Sequence, residues 1–161
     1  MSLPPEFLDA ARALIAARSV TSEGNRPAVD VLERLFADAG FSTRRLPART
    51  TPDRDANLLV SHGEGSLEGA LLLVTHLDTV SPGPLEAWSH DPFELVFRGD
   101  DAIGLGSADV KLDALCKLWA WRRVKDLPKH RPVAFLGTFG EEAGLRGTKE
   151  FLLDPPFRPF G

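Results

Sequence analysis

The stretch ALLLVTHLDTV, residues 70–80, places a run of large apolar residues directly before a histidine and an aspartate. Two further apolar runs, NLLVSH at 57–62 and PVAFLGTF at 132–139, also end close to polar residues. Short apolar runs of this length are typical of strands that are buried on both faces. We therefore predict that 70–76 is a central strand, that 132–139 is a second buried strand, and that 57–62 is the antiparallel neighbour of 70–76 across a glycine-rich turn.

Apolar residues at helical spacing alternate with these strands along the chain. The spacing predicts helices over 6–17, 27–39 and 112–124, a short helix that ends near Leu153, and weaker strands at 41–47 and 93–97. Alternation of helices with buried strands predicts an α/β fold. We expect a three-layer sandwich with a central mixed, mostly parallel sheet and helices on both faces.

The composition argues against several classes of partner. The formal net charge of the 161 residues is −4, and Lys and Arg are scattered, which argues against nucleic acid or an anionic membrane as partner. No apolar run approaches the roughly 18 residues that span a bilayer, and the N-terminus shows no secretory signal pattern. The single cysteine, Cys116, excludes an internal disulfide and a cysteine-based zinc site, and it fits a reducing, cytoplasmic setting.

Polar residues that can bind metal follow three predicted strand ends. His76 and Asp78 follow the first apolar run, Asp109 lies just beyond AIGLGSA, and Glu141 and Glu142 follow PVAFLGTFG. Ligands of α/β folds bind at the carboxyl ends of the strands. Carboxylates brought together there repel one another unless a cation lies between them. Imidazole with carboxylates suits zinc, manganese or cobalt.

Each of these residues also has an interpretation that involves no metal. Asp109 alone is a suitable N-cap for the following helix, and the Glu141-Glu142 pair alone is typical of a solvated helix N-terminus. Gly104-x-Gly106 resembles part of a dinucleotide fingerprint, but it lacks the third glycine. The combination at successive strand ends favours a metal site, in which one glutamate binds the ion and the other acts as a base toward water.

Four motifs, in this order, resemble one enzyme family. They are THLDTV at 75–80, W-x-x-D-P-F at 88–93, GLGSADVK at 104–111 and GEEAGLRG at 140–147. Their order and spacing resemble the co-catalytic zinc deacylase and exopeptidase family, which includes acetylornithine deacetylase, succinyl-diaminopimelate desuccinylase, aminoacylase and glutamate carboxypeptidase. The resemblance covers essentially all of the chain.

The resemblance implies a role for each candidate residue. His76 resembles the histidine ligand of one zinc ion, and Asp78 resembles the aspartate that orients this histidine. Asp109 resembles the carboxylate that bridges two zinc ions, Glu141 the general base, and Glu142 a ligand of the second ion. The complete site of the family holds two zinc ions, for which cobalt or manganese can substitute. The family also implies a cis peptide bond between Asp109 and Val110.

The resemblance further implies a metal-dependent hydrolase of amino-acid metabolism that cleaves the amide bond of an N-acyl amino acid or small peptide. On this interpretation residues 1–161 are the N-terminal portion of a zinc-hydrolase catalytic domain, whose dimerisation domain and C-terminal part are absent, and the parent enzyme is a homodimer. Two further ligands would lie outside this chain, so we expect at most one bound metal. The alternatives are a non-catalytic truncated α/β module and, third, a nucleotide-binding domain.

Other polar residues have no counterpart in the motifs. Leu112-Asp113 stand where the family has a glycine followed by small residues, so that either the bulkier start of the helix crowds the site or Asp113 faces solvent. We interpret His90 as a residue of an ordered loop and His62 and His130 as surface residues.

Overall fold

A four-stranded sheet with helices on both faces forms the centre of the computed structural model, which describes residues 3–63, 65–128 and 130–160. The helices are α1 (Pro5–Ala16), α2 (Arg26–Asp38), α3 (Lys111–Val124) and α4 (Arg146–Leu153). The strands of the sheet are β1 (Ser42–Pro47), β2 (Ala56–Ser61), β3 (Leu71–His76) and β6 (Val133–Thr138), and β4 (Val96–Arg98) pairs with β5 (Asp101–Ile103) in a separate hairpin. The predicted helices and the strands of the main sheet are confirmed to within a few residues.

The order of strands in the sheet is β1-β2-β6-β3. The pairs β1–β2 and β2–β6 are antiparallel, whereas β3 and β6 are parallel. The α/β class and the mixed sheet are therefore confirmed, but the sheet is not mostly parallel, since the described strands of the main sheet form one parallel pair. The prediction that 57–62 and 70–76 are neighbours is wrong because β6 lies between them. Hydropathy identified three strands of the main sheet but carries no information on which of them pair.

Strand β3 was predicted to be central, and it lies at the edge of the described sheet. Leu71 and Val74 are consequently 46% and 44% exposed. Lys117 of α3 covers part of this edge, because its ammonium group donates a hydrogen bond of 2.6 Å to the carbonyl oxygen of Val74. A lysine that occupies the open hydrogen-bonding positions of an edge strand discourages pairing with other chains.

Apolar side chains of the strands alternate between the two faces of the sheet. Leu58, Val60 and Phe135 face α1, α2 and α3 and form the larger core. Leu59, Ala134 and Leu136 face the other side, where Phe151 of α4 and Phe157 cover them. The three layers and the helices on both faces are thus confirmed.

The parallel pair β3–β6 determines where the polar motifs lie. His76 is opposite Thr138 in the register, so the two strands end at the same edge of the sheet. The backbone N–H of Leu77 still bonds to the carbonyl oxygen of Thr138 at 2.8 Å. Gly140 has a positive φ of 62°, which lets the chain turn sharply after β6. Asp78 and Glu141 follow these strand ends directly.

Within the described ranges, no helix combines the length and the apolar character that crossing a bilayer requires.

Candidate metal centre

The structure brings together side chains from three distant segments of the chain. His76 Nε2 lies 2.9 Å from Asp109 Oδ1 and 3.9 Å from Glu141 Oε2. His76, Glu141 and Glu142 each offer a ligand atom, and these atoms lie within 4.8 Å of one another. Three of the four predicted metal or base residues therefore surround one small volume at the carboxyl ends of β3 and β6. The fourth, Asp109, is outside this group of three and joins it through its contact with His76.

Both ring nitrogens of His76 face oxygen atoms. Nδ1 lies 2.9 Å from the carbonyl oxygen of Asp78, and Nε2 lies 2.9 Å from the Asp109 carboxylate, so each ring nitrogen faces an oxygen atom at hydrogen-bonding distance. Burial lowers the pKa of His76, but the hydrogen bonds to Asp109 and to the Asp78 carbonyl, with nearby carboxylates, outweigh burial and raise the pKa above its ordinary value. The surroundings of the imidazole, and of its Nε2 in particular, therefore favour positive charge.

The carboxylates around this imidazole disfavour one another's charge. Burial raises the pKa of Glu142, and the charges of Asp109, Glu141 and Asp78 raise it further, whereas His76 lowers it. A divalent cation would relieve this repulsion. A set of one imidazole and several carboxylates, with the second ring nitrogen held by a carbonyl group, fits the ligand chemistry of zinc and similar ions. The residues present thus fit a metal ion.

Asp78 acts on the glutamates as well as on the histidine. Its carboxylate is 1% exposed and accepts hydrogen bonds from the backbone N–H of Glu141 at 3.1 Å, from that of Glu142 at 3.4 Å and from Thr21 Oγ1 at 2.7 Å. The carboxylate lies 3.8 Å from His76 Nδ1, which instead bonds to the Asp78 carbonyl oxygen. The structure therefore orients the histidine through the main chain of Asp78 and holds the Glu141-Glu142 turn through its side chain.

Asp109 does not cap a helix. The N-cap of α3 is Val110, and it makes no side-chain capping bond. The peptide bond between Asp109 and Val110 is cis, as the resemblance implied. Asp109 follows the turn after β5, which belongs to the hairpin and not to the main sheet. Only two of the three predicted strand ends therefore belong to that sheet, and Asp109 comes from the segment between β5 and α3.

The Glu141-Glu142 pair does not lie at a helix N-terminus either. Helix α4 begins at Arg146, and the two glutamates occupy the turn before it, where the N–H of Leu145 bonds to the carbonyl oxygen of Glu141 at 3.0 Å. The helix-dipole interpretation of this pair is therefore wrong.

The glycines of the partial dinucleotide pattern have packing roles. A Cβ atom at Gly104 would lie 2.9 Å from Ile15 Cγ2. A Cβ atom at Gly106, whose φ is +83°, would lie 2.8 Å from Thr79 Cγ2. Close packing accounts for both glycines, and the nucleotide-binding interpretation loses its support.

The sequence departs from the family at Asp113. The Asp113 carboxylate has partners within the protein, and it does not lie among the candidate metal ligands. Its carboxylate accepts hydrogen bonds from the Thr75 hydroxyl and from Lys117. Thr75 immediately precedes His76, so Asp113 fixes the end of β3 next to the candidate ligand.

The remaining histidines lie away from the candidate ligands. His90 lines a separate cleft of about 640 Å³ together with Arg18 and Phe93. His62 lies at the surface, where its side chain is 24% exposed and its Nε2 is 3.6 Å from Asp126, and its ring also packs against Phe41 at a centroid distance of 5.6 Å. His130 is exposed, as predicted.

Two residues near the site carried no recognisable signal in the sequence. Thr21 stands in a segment predicted only as a polar loop, and its hydroxyl bonds to an aspartate 57 positions later. Lys111 is fully buried, and its ammonium group donates to the carbonyl oxygens of Leu14 at 3.3 Å and Ala17 at 2.8 Å. Burial lowers the pKa of Lys111 to about 8.

Comparison with known proteins agrees with this geometry. The sequence profile of the peptidase family M20/M25/M40 matches residues 72–158, more than half of the chain. Acetylornithine deacetylase of Pasteurella multocida (strain Pm70) is 34% identical over an alignment that covers 96% of this chain and 41% of that protein. Acetylornithine deacetylase of Yersinia pestis is 35% identical over 99% of this chain and 42% of that protein. The chain thus spans about two fifths of the length of these curated relatives.

Solved structures show the same fold. An M20 family metallo-carboxypeptidase from Sulfolobus solfataricus superposes with a TM-score of 0.78 at 18% identity, over 92% of this chain and 34% of that one. Human carnosine dipeptidase 1 superposes with a TM-score of 0.67 at 21% identity, over 91% of this chain and 34% of that one.

Proposed function

Since the chain belongs to the peptidase family M20/M25/M40, whose members are metal-dependent hydrolases, we propose that the whole protein is a zinc-dependent enzyme that cleaves the amide bond of an N-acyl amino acid or a small peptide. The acetylornithine deacetylases and peptidases among its relatives support this reaction class. The chain covers only 41% of such a deacetylase, so the activity, the substrate and a homodimeric assembly are proposed for the whole protein. A cytoplasmic location remains a prediction.

The convergence of ligand atoms from His76, Glu141 and Glu142 within 4.8 Å is the observation that carries this proposal. In the proposed site, the metal is held by His76, Asp109 and Glu142. When bound, such an ion supplies Lewis acidity toward a carbonyl group and lowers the pKa of water toward about 7.

Glu141 is the proposed general base. Its side chain is 38% exposed, and its Oε2 is 3.9 Å from His76 Nε2, so it borders both the ligands and solvent. From this position its carboxylate takes a proton from water and delivers that proton to the leaving amine. Asp78 holds the backbone of Glu141 in place, which keeps the base oriented.

Zinc titration of the chain tests the metal site. Isothermal titration calorimetry in two buffers of different ionisation enthalpy should show proton release, because side chains must be deprotonated to bind a metal. Glu142→Gln should weaken zinc binding, whereas Glu94→Gln, which removes an exposed carboxylate elsewhere, should not. Equal zinc affinity in wild type and Glu142→Gln would contradict the assignment.

Kinetics of the whole protein test the reaction. The substrates are N-acetyl-L-ornithine, N-acetyl-L-methionine and a dipeptide. Glu141→Gln should lower kcat by about 10²- to 10⁴-fold without loss of bound zinc, and Glu94→Gln should retain activity. Hydrolysis that persists in Glu141→Gln at the wild-type rate would exclude this residue as the base.

A further inference from the structure

The side chain of Lys111 joins the start of α3 to the end of α1. It is fully buried, and its ammonium group donates hydrogen bonds to the carbonyl oxygens of Leu14 at 3.3 Å and of Ala17 at 2.8 Å. The last carbonyl groups of a helix lack partners within the helix, and the C-terminal end of a helix favours a cation. The last turn of α1 contains no basic residue of its own. Lys111 therefore caps α1 from a segment that lies 97 positions after Leu14 in the chain.

The burial of this ammonium group indicates more than packing. Transfer of a charged group out of water is unfavourable unless hydrogen bonds compensate for the lost hydration. Within the described residues Lys111 forms no ion pair, and the carbonyl groups at the end of α1 accept the hydrogen bonds of its side chain. An apolar side chain would fill the same space without this penalty. The lysine therefore forms a specific polar connection between two segments of the chain.

The backbone of Lys111 also closes the turn that carries Asp109. Its N–H donates a hydrogen bond of 2.8 Å to the carbonyl oxygen of Gly106. A Cβ atom at Gly106 would lie 3.2 Å from Lys111 Cδ, so the turn packs directly against the lysine stem. The side chain of Asp109 is 80% exposed, so packing of that side chain does not fix its position. The contact of Asp109 with His76 therefore depends on the turn that Lys111 anchors.

The segment that follows α1 connects the end of this helix to Asp78. The N–H of Thr79 donates to the carbonyl oxygen of Ser19 at 3.0 Å, and the N–H of Thr21 donates to the carbonyl oxygen of Thr79 at 2.9 Å. Thr21 Oγ1 bonds to the Asp78 carboxylate, which in turn holds the backbone of Glu141. A displacement of the end of α1 would therefore reach the turn that contains the two glutamates.

We propose that Lys111 is a positioning residue of the metal centre. Its ammonium group holds the turn of Asp109 against the end of α1, and through residues 19–21 it sets the position of Asp109 relative to the Glu141-Glu142 turn. Lys111 itself touches neither the metal nor the substrate. The inference rests on the proposed function for the presence of a metal, whereas the hydrogen-bonded path belongs to the chain without one.

Lys111→Met tests the ammonium group, since methionine keeps an unbranched side chain and removes the donor. Zinc affinity, measured by calorimetry at a temperature at which each variant is folded, should fall by about 10- to 100-fold. Leu118→Ala is the control, because Leu118 lies on the same helix and is 1% exposed, so that its truncation destabilises α3 without touching the path. This control should keep the zinc affinity of wild type. Equal affinity in wild type and Lys111→Met, or an equal loss in both variants, would overturn the proposal.

A double-mutant cycle tests the path itself. Thr21→Val breaks the path at its other end. Lys111→Met should therefore weaken zinc binding much less in a Thr21→Val background than in wild type. Independent losses that multiply would show that Lys111 does not act through residues 19–21, and they would refute the proposed coupling.

Hydrogen exchange in wild type tests the coupling without any substitution. Zinc should slow exchange of the Lys111 ammonium protons and of the Thr79 N–H by a larger factor than it slows exchange of the amides of β1, because linked sites stabilise each other. Equal factors in both places would contradict the coupling, whether or not Lys111→Met folds.

The metal-free chain separates this inference from the proposed function. Without zinc, Lys111→Met should shift the backbone amide resonances of Glu141 and Glu142, whereas Leu118→Ala should leave them in place. Such shifts in a protein that binds no zinc as wild type would refute the proposed function and support the path. Zinc binding and Glu141-dependent hydrolysis that Lys111→Met leaves unchanged would support the function and refute the positioning role.

Discussion

Thr21→Val removes one hydroxyl group that lies outside the proposed metal site. This hydroxyl bonds to Asp78, whose carboxylate holds the backbone of Glu141 and Glu142. Thr21 Oγ1 donates a 2.7 Å hydrogen bond to Asp78 Oδ2. The other donor to this oxygen is the backbone N–H of Glu142, at 3.4 Å. The same hydroxyl also lies 3.0 Å from the carbonyl oxygen of Thr79. The substitution is nearly isosteric, so it removes the hydrogen bonds of this hydroxyl and leaves the packing almost unchanged.

The expected loss follows from the burial and charge of the acceptor. Asp78 is 1% exposed, so water cannot replace the hydroxyl without rearrangement. A hydrogen bond to a charged group contributes about 1.5–3 kcal/mol, and we expect the free energy of unfolding to fall by that amount. Because the same carboxylate holds the backbone of Glu141 and Glu142, zinc affinity should also fall by about 10- to 100-fold, as is usual when a group that orients ligands is removed.

A second threonine–aspartate pair provides the control. Thr51 Oγ1 donates a 2.6 Å hydrogen bond to Asp55, whose side chain is 4% exposed, and neither residue belongs to the cluster. Urea unfolding and zinc titration should show that Thr51→Val loses similar stability with unchanged zinc affinity, and that Thr21→Ser retains both properties. If Thr21→Val loses stability but binds zinc as tightly as wild type does, Asp78 does not position the ligands.

Two other substitutions test the packing and the buried charge. Gly147→Ala should lower the free energy of unfolding, measured by urea, by about 1–3 kcal/mol or more, because a Cβ atom at this position would lie 2.3 Å from Asn57 Oδ1. Gly65→Ala is the control and should have little effect, because no atom lies within 4 Å of a Cβ atom at that position. Burial lowers the pKa of Lys111 from its ordinary 10.5 to about 8 in the folded protein. Between these two pH values the unfolded state binds more protons than the folded state, so folding becomes more favourable as pH rises. The free energy of unfolding of wild type should therefore rise relative to Lys111→Met by about 2–3 kcal/mol over this range, and parallel pH profiles of the two proteins would contradict it.

Much of the site could be predicted because its residues follow local patterns. The alternation of apolar runs with polar residues located the ends of β3 and β6, and with them His76 and the Glu141-Glu142 pair. Carboxylates and an imidazole that meet at successive strand ends repel or attract in a way that favours a cation between them, so the metal hypothesis followed from their combination.

Other features could not be predicted because they depend on contacts between distant segments. Nothing near Thr21 in the sequence indicates Asp78 as its partner, and nothing near Asp113 indicates Thr75. The apolar residues of β3 predicted a central strand, but hydropathy shows only which side chains tolerate burial. In the described part of the chain β3 has a strand on one side only, and Val74 is 44% exposed.

The single parallel pair among the main-sheet strands described here is the one on which the site depends. A strand of six residues spans about 20 Å, so if β6 ran antiparallel to β3, Glu141 would leave the sheet about 20 Å from His76 instead of 3.9 Å. A parallel pair requires a long crossover, and here that crossover contains α3 and brings Asp109 to His76 from a third direction. The antiparallel pairs extend the sheet without contributing a candidate ligand. The direction of one strand pair, more than the number of carboxylates, therefore determines whether this sequence can hold a metal ion.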